Sequence, residues 1–204
     1  MAFSGAVSQR GGVAPVARQA ADGDEIDPMI VSKHAIAMEE HTMIDDTDML
    51  HLRRCMELAS EALEAGDEPF GSVLVAADGT VLAEDRNRVA GGDATRHPEF
   101  FLARWAAEHL TSEERASATV YTSGEHCPMC AAAHGWVGLG RIVYVSSAEQ
   151  LTAWLAELGV APPPVRPLPI QEVAPGVPVE GPVAGLDEQV RELHRRLSER
   201  GGTR

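Results

Sequence analysis

The sequence predicts an α/β fold in which helices cover a central sheet. Apolar residues recur at helical spacing in several segments, short apolar or β-branched runs between them predict strands, and the two kinds of segment alternate along the middle of the chain. Such alternation favours helices packed in layers on one sheet. With 204 residues, 44% of them hydrophobic, the chain is long enough for one domain with a substantial core.

The first half of the predicted fold is a helix followed by a hairpin. The helix runs from Asp48 to Ala65 and ends at Gly66. Its apolar stripe is formed by Met49, Leu52, Met56, Ala59 and Leu63. Two strands, 72–76 and 80–84, follow and are joined across Asp78-Gly79, a pair that tolerates a tight turn.

The second half alternates helices and strands. We predict helices over 95–110, 128–134 and 149–158 and strands over 119–122 and 141–146. Beyond them, 162–182 is rich in proline, so we place only 168–173 and 177–179 along a sheet edge. A last amphipathic helix covers 186–197, with His194 facing solvent.

These elements predict three regions. Residues 1–44 lack a sustained period and are expected to be a disordered or loosely docked extension. The core spans 45–160, and 161–204 contributes the proline-rich segment and a helix that packs on the core.

Charge and cysteine content narrow the possible partners. There are 17 basic and 31 acidic residues, a net charge of −14, and Lys33 is the single lysine. Nucleic-acid binding depends on basic groups that meet phosphates, so nucleic acid is a less favoured partner than a small neutral ring. The chain has three cysteines and no apolar segment typical of a signal peptide or membrane span, so we expect a reducing cytoplasm and no membrane partner.

Two short segments supply metal-ligand types: His97-Pro98-Glu99 and Cys127-Pro128-Met129-Cys130. One imidazole and two thiolates leave one tetrahedral position of zinc open, as in catalytic sites. Glu99 lies two residues past His97 and is placed to take a proton from water. Because proline favours the first position of a helix, the prolines place His97 and Cys127 where two helices begin. Helix N-termini also stabilise thiolates.

H-x-E followed by P-C-x-x-C is the zinc deaminase signature, and His126 stands where that signature has the first proline. The match extends to Pro69-Phe70-Gly71 before a strand, Asn87 after the next strand, and Thr122-Ser123-Gly124-Glu125 before the cysteines. From Met49 to Ser147 the chain thus resembles the cytidine deaminase superfamily, nearest its branch of nucleobase and tRNA-adenosine deaminases.

The resemblance implies a three-layer α/β/α fold with a central mixed sheet of about five strands. It also implies a Zn²⁺ cofactor held by His97, Cys127 and Cys130, with Glu99 as the catalytic residue. Relatives commonly form homodimers, so a homodimer is expected by analogy.

Asn87 and Phe70 are the candidate substrate contacts. An asparagine amide offers both a donor and an acceptor to the edge of a heterocycle, although Asn87 in this position equally suits the shaping of a loop. The resemblance favours substrate contact. Phe70 either lines the pocket or belongs to the core.

The resulting hypothesis is hydrolytic deamination of a free base: guanine, cytosine, or an aza or triazine analogue. A tRNA adenosine deaminase shares the motifs and is the alternative enzyme. It would require a local surface of arginines drawn from Arg86, Arg88, Arg96, Arg104 and Arg141.

The second alternative is a non-catalytic module stabilised by zinc, although a domain of this length should fold without a structural metal ion. A closed zinc knuckle would need a second ligand pair, for which His51 and Cys55 are the stray candidates, and Cys55 alone is more typical of a core position. A redox dithiol would leave His97 and Glu99 unexplained. His134 and Trp136 are assigned to the core or to a subunit interface.

Overall fold

A computed structural model describes residues 44–201 of the chain. The prediction for the N-terminal extension therefore lies, except for residue 44, outside the described residues. The elements in chain order are α1 (Asp46–Glu64), β1 (Gly71–Val75), β2 (Val81–Arg86), a short 3-10 helix (Val89–Gly91), α2 (Pro98–His109), α3 (Ser112–Ser117), β3 (Thr119–Gly124), α4 (Pro128–Val137), β4 (Ile142–Ser146), α5 (Ala148–Glu157), α6 (Ile170–Val173), β5 (Val179–Glu180) and α7 (Asp187–Glu199).

The five strands form one mixed sheet in the order β2-β1-β3-β4-β5. Strand β1 pairs antiparallel with both β2 and β3, whereas β4 runs parallel to β3 and to β5. The predicted mixed sheet flanked by helices is confirmed.

The predicted hairpin is confirmed in β1 and β2. Gly79 has a φ of +87°, which a residue with a side chain rarely adopts. The backbone N–H of Thr80 donates a 2.9 Å hydrogen bond to the Asp78 carboxylate, so the Asp-Gly pair closes the turn.

Each face of the sheet carries its own apolar core. On one face, Val73, Tyr121 and Val145 pack under α1, α5 and α7. On the other, Leu74 and Val120 pack under α2. Because side chains alternate along a strand, β1 and β3 each contribute to both cores, which gives three layers.

Helix α1 begins with a capping box between Asp45 and Asp48 and lies close against β1. A Cβ atom at Gly71 would be 2.4 Å from the Leu58 Cβ and 2.6 Å from the Cys55 carbonyl oxygen. Glycine at the start of β1 therefore permits the close approach of helix and strand. Cys55 is fully buried in this contact, as expected for a core position.

A partly buried ionic network ties the start of α1 to the sheet. The Asp48 carboxylate accepts hydrogen bonds from the Tyr121 hydroxyl at 2.8 Å and from Arg141 at 2.7 Å. The same guanidinium donates to Glu180 at 2.7 Å. Asp48 thus joins α1 to β3 through Tyr121, and Arg141, which precedes β4, joins Asp48 to Glu180 of β5.

Two predictions for the C-terminal region are wrong. Ile170–Val173 is the short helix α6 and not an edge strand, because Pro169 stands at its N-cap and Ile170 fills a buried position against Tyr144. The other predicted edge segment, 177–179, is borne out at its last residue, because the edge strand β5 begins at Val179 and pairs there with Ile142 of β4.

His194 is 3% exposed and does not face solvent. It lies four residues after the buried Val190, so both side chains share the inward face of α7. Its ring packs edge-on against Phe70 at a centroid distance of 5.1 Å. Among the described residues, no helix is long and apolar enough to cross a membrane.

Candidate metal centre

The metal-type ligands lie where two helices begin beside the end of β3. His97 is the N-cap of α2 and Cys127 is the N-cap of α4, each with extended backbone and each followed by proline at the first helical position. The predicted helix starts are therefore confirmed. The first turn of α4 then brings Cys130 to the same point as Cys127.

The three ligand atoms fit a tetrahedral zinc ion. The two sulfur atoms are 3.5 Å apart, and the His97 Nδ1 is 3.6 Å from the Cys127 sulfur and 3.7 Å from that of Cys130. With zinc bonds of about 2.3 Å to sulfur and about 2.0 Å to nitrogen, tetrahedral geometry requires sulfur–sulfur and nitrogen–sulfur distances of about 3.8 and about 3.5 Å. His97, Cys127 and Cys130 thus form a candidate zinc site, and no other such group of three occurs among residues 44–201.

Without metal, the three ligand side chains are shifted in pKa by different causes and in different directions. The hydrogen bond from the Cys130 thiol, reinforced by His97, lowers the pKa of Cys127 to about 4 despite burial. The same thiol contact and burial raise the pKa of Cys130. For His97, burial lowers the pKa, but the Cys127 thiolate and Glu99 outweigh it, so the pKa of His97 is raised. Metal binding must therefore displace the proton on Cys130.

Glu99 lies in the first turn of α2 beside the ligand cluster. Its side chain is buried, with Oε1 3.0 Å from the Thr122 hydroxyl and Oε2 3.6 Å from the Cys130 sulfur. Burial raises the pKa of Glu99, although the nearby His97 opposes this. A carboxyl group with a raised pKa at the edge of a metal-type site suits proton exchange.

Asn87 and Phe70 lie together at the end of the hairpin. The Asn87 backbone N–H donates to the Phe70 carbonyl at 2.9 Å, and the Asn87 Oδ1 accepts from Val89 at 3.0 Å. The Asn87 side chain therefore shapes the loop, which is one of the two roles predicted for it. Its buried Nδ2 has no hydrogen-bond partner among the described residues. The Phe70 ring lies against Gly124, where an added Cβ would be 2.9 Å from it.

Glu125 has a structural role that its position in the amino-acid sequence does not reveal. Its carboxylate accepts hydrogen bonds from the backbone N–H groups of Ala148 at 2.8 Å and Ile170 at 2.9 Å, which begin α5 and α6. Its own N–H donates to the Ser146 carbonyl at 2.8 Å. The loop that precedes Cys127 is thereby tied to two helix starts.

The other histidine and aromatic candidates do not join the ligand cluster. His126 is buried and packs edge-on against His134 at 5.4 Å, and His134 Nε2 lies 2.8 Å from the Gly140 carbonyl oxygen. The His51 ring lies tilted against Tyr121 at a centroid distance of 4.8 Å, and His51 and Cys55 belong to no metal-type ligand group among the described residues. Trp136 is 89% exposed on α4.

The chain is similar to zinc deaminases in sequence and in fold. The family described as the cytidine and deoxycytidylate deaminase zinc-binding region matches residues 45–146. A probable cytosine deaminase from Schizosaccharomyces pombe is 31% identical over 122 residues, which make up 60% of this chain and 74% of that protein. Guanine deaminase from Bacillus subtilis is 37% identical over 97 residues, 47% of this chain and 62% of that protein.

The fold is also similar to that of a solved structure. The structure comes from a study of A-to-I editing by tRNA:A34 deaminases at the wobble position of transfer RNA. It matches 71% of this chain and 99% of its own with a TM-score of 0.51 and 26% sequence identity. Proteins named for three different substrates are thus similar to this chain, so similarity alone does not select the substrate.

Proposed function

Because the chain belongs to the family of the cytidine and deoxycytidylate deaminase zinc-binding region, we propose that it is a zinc-dependent aminohydrolase for a free nucleobase or related heterocycle. The substrate class is guanine, cytosine, or an aza or triazine analogue. The reaction replaces an exocyclic amino group with oxygen from water and releases ammonia. The observation that carries the proposal is the buried Glu99 carboxyl group beside His97, Cys127 and Cys130.

In this proposal the protein side chains hold the metal and move the protons. His97, Cys127 and Cys130 hold zinc, which supplies Lewis acidity that makes water a better nucleophile at neutral pH. Glu99 accepts a proton from the attacking water and delivers it to a ring nitrogen of the heterocycle. The same carboxyl group then assists the departure of ammonia.

Asn87 supports recognition of a heterocycle. Its Oδ1 is held by Val89, whereas its buried Nδ2 keeps an N–H donor free for an acceptor on the ring edge. An unpaired buried donor is costly, so a ligand that accepts from it gains affinity. Phe70 offers an aromatic surface next to Gly124 and is proposed as the second, weaker contact.

The arginines that a tRNA substrate would require are mostly engaged with carboxylates. Arg86 pairs with Asp67, Arg88 with Asp85, Arg104 with Glu108, and Arg141 with Asp48. Such pairs reduce the positive charge available to phosphates. Together with the net charge of −14, they favour a small substrate over tRNA. The cysteine ligands must stay reduced, so we place the protein in the cytoplasm, where it would serve nucleobase salvage.

The test is an ammonia-release screen of the zinc-loaded protein against guanine, cytosine, adenine and aminotriazines. Glu99→Gln should lower kcat by about 10²–10⁴-fold while zinc stays near one per chain, because the amide cannot exchange the proton. Glu113→Gln makes the same change at an exposed position of α3 and should leave activity unaltered.

Three outcomes would contradict the proposal. An active E99Q enzyme would remove Glu99 from the chemistry. A zinc-loaded wild-type protein that is inert toward every base would favour the zinc-stabilised module. Salt-sensitive binding and deamination of a tRNA transcript, without turnover of free bases, would favour the tRNA adenosine deaminase.

The proposal extends to a homodimer. Helices α2 and α4, which carry Glu99 and Cys130, also present Phe101 at 43% and Trp136 at 89% exposure. Aromatic side chains are enriched in protein–protein interfaces relative to the rest of the surface. Sedimentation should find a dimer that Trp136→Ser dissociates and that Leu50→Ser, at a 64% exposed position of α1, leaves intact. A monomeric wild-type protein would contradict this.

A further inference from the structure

A chain of three buried side chains leads from the sheet to the carboxyl group of Glu99. The Ser72 hydroxyl donates to Thr122 Oγ1 at 2.9 Å, and the Thr122 hydroxyl lies 3.0 Å from Glu99 Oε1. Ser72 and Thr122 are 0% exposed and Glu99 is 6% exposed. No bulk water competes for these hydrogen bonds, so their geometry is set by the fold.

The sheet register places the two hydroxyl groups. Ser72 of β1 and Thr122 of β3 are directly opposed in the antiparallel ladder. By strand alternation they share a face with Leu74 and Val120, which pack under α2. The first turn of α2 carries Glu99 over the same point. The contact therefore depends on β1, β3 and α2 together.

The number of hydroxyl hydrogens sets the direction of this series of hydrogen bonds. A threonine hydroxyl has one hydrogen to donate and lone pairs that accept. Ser72 supplies the hydrogen that Thr122 accepts, so the hydrogen of Thr122 is available to Glu99 or to the Gly124 carbonyl, which is also 3.0 Å away. A carboxylate is the stronger acceptor of the two. The donation thus runs from Ser72 through Thr122 to Glu99 Oε1.

This contact leaves the two carboxyl oxygens of Glu99 with different tasks. Oε1 is held by Thr122, and Oε2 faces the ligand cluster, 3.6 Å from the Cys130 sulfur. A glutamate side chain has several rotatable bonds, and a misplacement of about 1 Å can cost about 10²-fold in rate. Holding Oε1 therefore directs Oε2 toward the place where water and substrate would react.

We propose that Thr122, supported by Ser72, is a positioning residue that orients the Glu99 carboxyl group for proton transfer. This inference rests on the proposed deaminase function. It assigns no chemical step to Thr122 itself, whose hydroxyl donates its hydrogen bond to Glu99.

The test compares four variants of the zinc-loaded protein. Thr122→Val keeps the side-chain shape but removes the hydroxyl, and it should lower kcat by about 10–100-fold, the effect of one hydrogen bond to a charged group. KM and zinc content should stay within about threefold of wild type, because neither ligand nor substrate contacts change. Thr122→Ser retains the hydroxyl and should recover most of the activity. Ser72→Ala should have a smaller effect than T122V, and Thr119→Val, at the start of the same strand, should have none.

Crystal structures of wild type and T122V provide a measurement that does not depend on activity. The Glu99 carboxyl group should leave its position in T122V and keep it in T122S. If no substrate is turned over by wild type, the proposed function fails and this comparison alone decides the positioning role. A Glu99 carboxyl group that stays in place in T122V overturns the inference, and so does a T122S enzyme as impaired as T122V. If T122V does not fold, Thr122→Ala, which also removes the hydroxyl, takes its place in the comparison with T122S.

Discussion

Acid should weaken the packing of the C-terminal helix through His194. The imidazole is buried against Phe70, and burial lowers the pKa of His194 from its ordinary 6.5 to about 4. The native protein therefore holds a neutral ring in the range where the unfolded chain takes up a proton. The contribution of the neutral His194 ring to the free energy of unfolding is fully present above pH 6.5 and is lost as the pH falls toward 4.

The magnitude follows from the width of that window. At pH 5 the medium lies about 1.5 units below the unfolded pKa, and each unit corresponds to about 1.36 kcal/mol. His194 alone should then reduce the free energy of unfolding by about 2 kcal/mol between pH 7 and pH 5. This is a substantial part of the ~5–15 kcal/mol that stabilises a typical domain.

Urea denaturation at pH 7 and pH 5, in excess zinc, measures the effect. His194→Phe keeps an aromatic ring against Phe70 and removes the titrating group, so the wild type should lose about 2 kcal/mol more than H194F. His194→Gln serves as a second non-titrating variant with different packing and should show the same reduced pH dependence. Equal acid losses in wild type and both variants would refute the reasoning, because the titration of His194 would then contribute nothing.

Further predictions concern the ligand loop and the core. Zinc uptake at pH 7 should release about one to two protons per ion, because Cys130 must lose its thiol proton and His97 has a raised pKa. Zinc affinity should therefore rise with pH. Calorimetry in buffers of different ionisation enthalpy measures the proton release, and its absence would contradict the prediction. Glu125→Gln leaves one of two backbone N–H groups without its carboxylate acceptor and should lower zinc affinity about tenfold in chelator competition. An unchanged zinc affinity would show that the hydrogen bonds of Glu125 do not orient the ligand loop. Gly71→Ala should cost about 1–3 kcal/mol of unfolding free energy in urea, whereas Gly91→Ala, which meets no atom within 4 Å, should cost much less.

The local features of the site could be predicted from the amino-acid sequence. His97 and Cys127 precede prolines, and proline at the first helical position sets a helix start within a few residues, so both N-caps were predictable without tertiary contacts. Zinc-type ligands, a nearby carboxylate and the turn at Gly79 are likewise properties of short segments. Alternation of strands and helices was enough to predict a layered sheet because it reflects the period of burial along the chain.

Contacts between distant segments were decided only by the tertiary structure. The pairing of Ser72 with Thr122 depends on the register between β1 and β3, which no local pattern specifies. A polar residue on an amphipathic helix is expected to face solvent, yet His194 is buried and its ring packs against Phe70. A proline-rich segment predicts where regular structure is interrupted but not which neighbour its ends will meet, so the helix at Ile170 depended on Glu125 and the buried space beside β4. Composition and period describe what one segment prefers, whereas burial and register are fixed by partners that lie far away in the chain.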